Sequence, residues 1–293
     1  MGAAPTPHSR VVSLLAQALP LVAQDHPAYA ALEEAHRVAA GLDSYLDDHS
    51  SPLIVPSTHA VHEKDVRQVW EDLLAATDAE DWQKRKEEGT TTYALNSGMC
   101  SGNYEASVIQ QIALAAKSTR VLEIGLFTGT TTLALGLLPN IEEVVALDVE
   151  PYLETFDRPF WKRAGVSDKI QTLIAPATDS LRQLKSEGHP AFDLVFIDAD
   201  KPSYKEYVSL LLELDLLTPE GIILADNTLY KALPWADWSR PDEDARNAGS
   251  NNKSVGEATQ GIIDFNQFVR NDERLTAVVL PVRDGVTVIR RKI

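Results

Sequence analysis

The chain contains a single cysteine, Cys100, among its 293 residues. It therefore cannot form a disulfide within itself, which favours a reducing compartment, so we expect a cytoplasmic protein. No stretch approaches the roughly 20 consecutive apolar residues that a membrane-spanning helix needs. The apolar run at 11–23 is interrupted by Gln17 and Pro20, and we interpret it as a short amphipathic helix rather than a secretory signal.

Positive charge is also scarce, since 27 Lys and Arg residues face 43 Asp and Glu residues, for a formal net charge of -16. Such a surface repels both nucleic acid and anionic membranes, so neither is expected as a partner. The histidines before residue 90 lack the paired spacing of a metal site. With 44% apolar residues, the chain can bury a large globular core.

The segment 120–132, RVLEIGLFTGTTT, predicts a buried strand, a glycine turn and the start of a helix. A nicotinamide-binding turn would want a third glycine where this chain has Thr130, and a phosphate-binding loop would want a lysine after Gly129. The next apolar strand ends in Asp148, an acid that can accept hydrogen bonds from both ribose hydroxyls. A nucleoside without phosphate fits this pattern, and S-adenosylmethionine is the commonest such cofactor.

After Asp148, apolar strands alternate regularly with amphipathic helices. Helices are predicted near 152–164, 178–187 and 204–214, and strands at 170–175, 193–197 and 221–225. This alternation indicates an α/β fold with a doubly wound, mostly parallel sheet that has helices on both faces. Ligands bind such sheets at the carboxyl ends of the strands.

Upstream, helices are predicted near 29–46 and 63–76, within an N-terminal helical extension over 1–95 that precedes a catalytic domain over 96–293. The second helix carries a regular apolar stripe, which consists of Val66, Val69, Trp70, Leu73 and Leu74. A stripe this regular must be buried against something, and a homodimer is the simplest partner. A polar loop at 99–106 then leads into a helix, where Ser101 and Glu105 either hold the methionine part of the cofactor or cap the helix.

Oxygen-bearing side chains follow two neighbouring strands, as Asp198 ends FDLVFID and Asp226-Asn227 ends GIILADN. Carboxylate and amide oxygens suit a divalent cation such as Mg²⁺, Ca²⁺ or Mn²⁺, although both acids could instead cap the following helices. Lys201 can reach the same space. Beside a cation and partly desolvated, its pKa would fall and it could accept a hydroxyl proton, whereas in isolation it would be a solvated lysine.

In this order and spacing, the motifs LEIGLFTGTTT, ALDVE, FIDADK, ADNTL and RDGVTVIRR resemble the cation-dependent O-methyltransferases that include caffeoyl-CoA and catechol O-methyltransferases. The resemblance covers residues 95 to 293 and implies the class I, Rossmann-like methyltransferase fold with a seven-stranded sheet. It implies Asp198, Asp226 and Asn227 as metal ligands and Lys201 as the catalytic base. The residues expected to contact S-adenosylmethionine are Met99, Ser101, Glu123, Gly125, Phe127, Thr128, Thr130, Asp148, Val149, Ala177 and Asp198.

The chain departs from this family in three places. Ala-Pro-Ala at 175–177 replaces a frequent Asp-Ala near the adenine, the N-terminal extension is long, and an enlarged segment at 231–255 is expected to cover the acceptor. The stretches VAAGLDSYLDDH and DWQKR are similar to a narrower group, the O-methyltransferases of mycosporine biosynthesis, which act on a demethyl precursor of 4-deoxygadusol.

The expected reaction moves a methyl group from S-adenosylmethionine to one hydroxyl of a vicinal diol, catechol or cyclic enediol. Two rival classes are a nicotinamide-dependent oxidoreductase and a catalytically silent scaffold protein. The turn at 125–130 disfavours the first rival, and the retention of Lys201 and the oxygen ligands disfavours the second.

Overall fold

The computed structural model of the protein describes residues 6–51, 53–236 and 252–292. The α-helices are α1 (Pro7–Ala18), α2 (Tyr29–His49), α3 (Glu63–Ala79), α4 (Trp82–Glu87), α5 (Asn103–Ala115), α6 (Thr130–Gly136), α7 (Pro151–Ala164), α8 (Ala177–Ser186), α9 (Tyr204–Glu213) and α10 (Asn252–Asn271). The strands are β1 (Arg120–Ile124), β2 (Glu143–Asp148), β3 (Ile170–Ile174), β4 (Phe192–Ile197), β5 (Leu217–Ala225), β6 (Leu275–Leu280) and β7 (Val286–Arg291).

The strands form one seven-stranded sheet in the order β3-β2-β1-β4-β5-β7-β6. The first five strands in the chain pair in parallel, and β7 runs antiparallel to both of its neighbours. The central strand β1 aligns Leu122 with Val145 of β2 and Val195 of β4. This order puts the ends of β1, β2, β4 and β5 side by side, which is where a doubly wound sheet binds its ligands.

The central strands are apolar on both sides because helices cover both faces of the sheet. In β1, Leu122 and Ile124 belong to a core cluster that includes α9, whereas Val121 packs into a second cluster with α5. All three side chains are fully buried. The short apolar runs read from the sequence are therefore central strands, and the predicted α/β, mostly parallel fold is confirmed.

The apolar stripe of α3 is buried, but within this chain. Val66, Trp70 and Leu73 join a cluster that includes Trp161 of α7 and Leu133 of α6. We expected a second subunit to cover this stripe, but the catalytic domain of the same chain covers it. The homodimer remains a prediction without that support.

Helices α1 and α2 differ from α3, because neither contains a buried residue. Helix α1 begins in a capping box between Thr6 and Ser9, four residues ahead of the predicted apolar run. Helix α4 was not predicted, since six residues are too short for a helical apolar period, and Asp81 caps it by accepting the Lys84 N–H. Most of the predicted acceptor-covering segment, 231–255, lies outside the described residues.

Among the described residues, no helix is both long enough and apolar enough to cross a membrane.

Candidate active site

The carboxyl edge of the sheet brings together the residues that the sequence placed after each strand. Gly125 follows β1, Asp148 ends β2, Asp198 follows β4 and Asp226 follows β5. Because these strands are parallel neighbours, the four positions lie along one edge. Ala177 begins α8 just beyond β3, at the outer end of the same row.

The turn after β1 brings two strand ends into contact through main chain. Gly125 has a φ of 101°, and a Cβ there would overlap the carbonyl oxygen of Asp198. Only glycine fits both the positive φ and the close approach. Gly129, at a φ of 59°, caps α6 and lies against the ring of Trp161. The cofactor turn and the end of β4 are thus in direct contact.

Asp148 organises this turn through backbone hydrogen bonds. One carboxylate oxygen accepts the N–H groups of Leu126 and Phe127 at 3.0 and 3.1 Å. The other oxygen accepts those of Val149 and Glu150 at 2.7 and 3.0 Å. Burial raises the pKa of Asp148 above its ordinary value, although these four donors act in the opposite direction. These four donors already fill the roughly four lone-pair positions of the carboxylate, so the hydroxyls of a ribose would have to share or replace some of these hydrogen bonds.

Glu123 lies beneath the turn and is almost completely buried. Its carboxyl group accepts a hydrogen bond from the Thr132 hydroxyl. Burial raises the pKa of Glu123 to about 8, with Asp198 and Asp148 adding to the shift. A carboxyl group in this state carries a proton near neutral pH and can donate or accept a hydrogen bond within the predicted cofactor pocket.

The other predicted cofactor contacts surround the turn. Ser101 is buried and accepts a hydrogen bond from Thr131 at 3.3 Å, and the buried Thr128 hydroxyl has no partner. Phe127 packs on Trp82 with the ring centres 5.2 Å apart. Thr130 is buried, whereas Met99 and Val149 are 46% and 41% exposed. An unpartnered hydroxyl beside exposed apolar side chains and a ribose-type acid fits S-adenosylmethionine.

Cys100 borders the same turn, with its sulfur 3.6 Å from the Thr130 hydroxyl. Burial raises the pKa of the Cys100 thiol to about 11. The thiol is therefore protonated at physiological pH, which agrees with the low expectation of a nucleophilic role.

Lys201 lies at the centre of the second half of the site. Its Nζ donates hydrogen bonds to Asp198 Oδ1 at 2.8 Å and to Tyr204 Oη at 2.7 Å. The Lys201 side chain is 12% exposed. The short turn Lys201–Ser203 at the start of α9 projects both Lys201 and Tyr204 toward the end of β4.

The pKa of Lys201 differs from the sequence-based expectation. Burial alone would lower this pKa, but the carboxylates of Asp198 and Asp226 and the Tyr204 side chain outweigh burial and raise it well above the ordinary value. The predicted lowering therefore requires the negative charge of these carboxylates to be compensated by another cation.

Asp226 is buried and shares a hydrogen bond with Glu105, which is also buried. Burial, followed by the negative charge of Asp198, raises the pKa of Glu105 to about 7, although the hydrogen bond to Asp226 acts in the opposite direction. Burial and the charges of Glu105 and Asp198 raise the pKa of Asp226 well above its ordinary value. Glu105 Oε1 has no hydrogen-bond partner. Glu105, expected either to hold the methionine part or to cap α5, therefore faces the predicted cation ligands.

Asn227 completes the predicted ligand set. It has a left-handed backbone with a φ of 56°, a conformation that Asn tolerates better than most residues, and its N–H donates to Asp226 Oδ1 at 2.6 Å. Across the part of the chain that the structure describes, no group of three or more His, Cys, Asp or Glu side chains is arranged to hold a metal. The predicted site contains only two carboxylates, so the Asn227 amide oxygen would have to complete it.

Sequence reasoning missed several residues of this site. Tyr204 lies outside the motifs, and Arg283 and Asp284 were read only as part of the motif RDGVTVIRR. Asp284 is almost completely buried, and burial raises its pKa to about 7. The run FIDADKPSY, in which a tyrosine follows Lys201 by three residues, could have indicated the Lys201–Tyr204 pair.

Comparison with known proteins agrees with this geometry. A family model described as O-methyltransferase matches residues 75–292. Caffeoyl-CoA O-methyltransferase from Populus kitakamiensis is 30% identical over 242 residues, covering 82% of this chain and 98% of the relative. Tricin synthase 1 from Oryza sativa subsp. japonica is 34% identical, covering 66% of this chain and 75% of the relative.

Solved structures show the same architecture. The SAH-bound Podospora anserina methyltransferase PaMTH1 superposes with a TM-score of 0.65 at 26% identity, covering 88% of this chain and 96% of the other. The O-methyltransferase from Bacillus cereus in complex with SAH has a TM-score of 0.62 at 21% identity, covering 86% and 97%, which supports the fold alone.

The strand order of the sheet, with the predicted site residues at its carboxyl edge, defines a class I, Rossmann-like methyltransferase fold. The chain belongs to the O-methyltransferase family that includes the caffeoyl-CoA O-methyltransferases. The predicted enzyme class, an S-adenosylmethionine-dependent O-methyltransferase, is confirmed, and the nicotinamide-dependent alternative is not favoured.

Proposed function

We propose that this enzyme is a divalent-cation-dependent O-methyltransferase that methylates one hydroxyl of a vicinal diol, catechol or cyclic enediol. The observation that carries the proposal is the group of Asp198, Lys201, Asp226 and Glu105 at the sheet edge, in which Asp226 and Glu105 are buried and Asp198 and Lys201 are partly buried. This group adjoins the cofactor turn through the contact between Gly125 and the Asp198 carbonyl.

Asp198, Asp226 and Asn227 would hold the cation, which their hard oxygen atoms suit. The fit is supported by the two buried carboxyl groups of Asp226 and Glu105 next to Asp198, where Glu105 Oε1 has no hydrogen-bond partner. When bound, a divalent cation supplies Lewis acidity, lowering the pKa of an acceptor hydroxyl and compensating the carboxylate charge around Lys201.

Lys201 is proposed to accept the hydroxyl proton at Nζ. Asp198 and Tyr204 hold this nitrogen through hydrogen bonds of 2.8 and 2.7 Å, which fixes its direction. Burial raises the pKa of Tyr204 well above its ordinary value, so its hydroxyl remains neutral and accepts the Lys201 hydrogen bond. The cofactor turn then holds the methyl donor close to the acceptor oxygen, and proximity supplies much of the acceleration.

The acceptor is proposed to carry two adjacent oxygens, so that one is held while the other is methylated. Demethyl-4-deoxygadusol of mycosporine biosynthesis is one candidate, supported by the similarity of segments in α2 and α4 to that narrower group. A phenolic acceptor of the caffeoyl-CoA or catechol type is the alternative, supported by the names of the relatives.

The test is product analysis by mass spectrometry after incubation with S-adenosylmethionine and a panel of catechols, cyclic enediols and caffeoyl-CoA. Methylation of a vicinal acceptor that stops in excess chelator and returns with Mg²⁺ is the expected result. Full activity of verified metal-free protein would refute the cation requirement, and methylation confined to isolated hydroxyls would refute the acceptor class.

We further propose a cytoplasmic homodimer in which residues 1–95 form a helical extension and 96–293 the catalytic domain. Light scattering coupled to gel filtration measures the subunit number. A monomer at working concentration would refute the dimer. The packing of α3 on α6 and α7 makes α1 and α2 the part of the extension that depends least on the catalytic core.

A further inference from the structure

Arg283 connects the N-terminal helices to the catalytic domain. It lies in the turn between β6 and β7, here called the β6–β7 turn (residues 281–285), and its side chain is 20% exposed. Its Nη1 is 2.9 Å from Asp43 Oδ1, and its Nη2 is 2.6 Å from Asp47 Oδ1. Both acids are on α2, four residues apart, so one guanidinium bridges one face of this helix.

The same guanidinium reaches the active site through α5. Its carbon atom lies 5.2 Å from the ring centre of Tyr104, within the range of a cation–π contact. Tyr104 immediately precedes Glu105, whose carboxyl group shares a hydrogen bond with Asp226. A single residue, Glu105, thus lies between Tyr104, which Arg283 contacts, and the predicted cation ligand Asp226.

The remainder of the β6–β7 turn supports the chain that follows Asp226. Asp284 Oδ1 accepts the Lys231 N–H at 2.6 Å, and the Asp284 carbonyl accepts the Leu229 N–H at 2.9 Å. The Gly285 carbonyl accepts the Thr228 N–H at 3.0 Å. Movement of this turn would therefore displace the segment 228–231, directly after the predicted ligands.

Helices α1 and α2 form a hairpin (residues 7–49) that is held mainly by polar contacts. Arg10 of α1 donates to the Lys231 carbonyl at 3.2 Å, and the His8 ring lies 2.6 Å from the Ala39 carbonyl, tying α1 to α2. Neither helix contains a buried residue. Because little apolar burial secures the hairpin, its position depends on such contacts more than that of α3 does.

We propose that Arg283 is a positioning residue that holds the α1–α2 hairpin against the acceptor side of the site, meaning the segment 228–231 and the β6–β7 turn, and thereby sets the affinity for the acceptor. The inference rests on the proposed function, because it assigns this side to the acceptor. Cofactor affinity should not depend on Arg283, because its contacts lie on α2 and α5 rather than on the turn after β1.

The experiment compares Arg283→Asn, Arg283→Lys and the charge exchange Arg283→Asp with Asp47→Arg. Asn and Asp tolerate the left-handed φ of 48° at this position, so backbone strain is not introduced. The control is Arg163→Gln, which removes a different ion pair, to Asp72, that ties α3 to α7. Acceptor KM and kcat, S-adenosylmethionine Kd and the rate of limited proteolysis at 22–28 are measured for each variant.

For Arg283→Asn we expect acceptor KM to rise about three- to tenfold and cleavage at 22–28 to accelerate, with kcat and cofactor Kd within about twofold of wild type. Arg283→Lys and the charge exchange should restore part of the affinity, and Arg163→Gln should leave acceptor KM unchanged. Faster cleavage with an unchanged KM would overturn the inference, because Arg283 would then only anchor the hairpin. Unchanged cleavage would overturn the anchoring itself.

Wild-type turnover is measured first and separates the two proposals. A wild-type protein that methylates no hydroxyl acceptor refutes the proposed function and, with it, the acceptor role of Arg283. An active wild type whose Arg283→Asn variant retains its acceptor KM refutes only the role of Arg283.

Discussion

The two halves of the sheet edge are stabilised by different interactions. On the cofactor side, meaning the ends of β1 and β2, the Asp148 carboxylate accepts four backbone N–H groups and Gly125 lies directly against the main chain at Asp198. On the proposed acceptor side, the hairpin is held by ion pairs of Arg283 whose partners are more than 40% exposed. Buried backbone contacts fix geometry, whereas exposed ion pairs are weak and sensitive to salt.

The proposed roles of the two sides, binding of the methyl donor and binding of the acceptor, account for this difference. Every member of a methyltransferase family binds one donor, so the donor side can be rigid. Acceptors differ between enzymes, and loops and added helices change their contacts with little cost to the core. If this comparison is correct, substitutions on the cofactor side should be poorly tolerated, and a substitution on one side should leave the function of the other side unchanged.

The largest effect is expected for Gly125→Ala. The added methyl group would overlap the Asp198 carbonyl oxygen at a backbone conformation that alanine avoids, so the turn must move. We expect loss of measurable S-adenosylmethionine binding by calorimetry and a fall in the free energy of unfolding. Gly41→Ala, in α2 with no atom within 4 Å of the new Cβ, is the control and should retain wild-type binding. Normal binding by Gly125→Ala would show that the turn is not rigid.

Next in size is Lys201→Met, which tests the proton acceptor. Losing a general base typically costs about 10² to 10⁴ in kcat. We expect a loss in this range with little change in cofactor Kd, because Lys201 contacts Asp198 and Tyr204 rather than the β1 turn. Lys205→Met, in the first turn of the helix that follows Lys201 and with its Nζ over the Phe268 ring, is the matched control. A kcat near that of wild type would remove Lys201 from the chemistry.

Asp148→Ala should weaken S-adenosylmethionine binding by about 1 to 3 kcal/mol through the loss of charge-assisted hydrogen bonds. Because Asp148 also accepts four backbone N–H groups, part of the loss should come from a loosened turn. Titration calorimetry measures the loss, with Asp179→Ala, an exposed acid on α8, as the control. Unchanged cofactor affinity with unchanged thermal stability would contradict both roles.

The smallest effect concerns pH and Glu123. Its pKa in the folded protein is about 8, above the ordinary value of an unfolded glutamate, so the proton binds more tightly to the folded state. The resulting stability is complete at acidic pH and is lost as the pH rises toward 8. Between about pH 6 and about pH 8, the free energy of unfolding should therefore fall by about 1 to 2 kcal/mol more for wild type than for Glu123→Gln. Urea unfolding measures this difference, and parallel pH profiles would disprove the shift.

The sequence predicted where Gly125 and Asp148 lie in the fold because the determinants of these positions are local. A glycine turn after an apolar strand and an acid after the next strand place Gly125 and Asp148 without long-range information. The alternation of strands and helices after Asp148 is also a local pattern, and it predicted the mostly parallel sheet. Most predicted boundaries agree with the observed elements within a few residues. There are two exceptions: strand β5 begins at Leu217 rather than at the predicted Gly221, and helix α1 covers Pro7–Ala18 rather than the predicted 11–23.

The acceptor side was less predictable because its contacts join distant segments. Arg283 and Asp43 are far apart in the chain, and so are Glu105 and Asp226. No spacing rule relates such pairs. The raised pKa of Lys201 also depends on charges from separate strand ends, which is why its direction could not be read from the motif FIDADK.

The contact between Gly125 and Asp198 also constrains how the enzyme can change over evolutionary time. Because the end of β1 touches the end of β4 through main chain, neither can shift without displacing the other. A substitution that remodels the donor turn must be matched by one near the first predicted cation ligand. We therefore expect substitutions in LEIG to require compensating substitutions in FIDADK, whereas the α1–α2 hairpin, whose helices contain no buried residue, can change more independently.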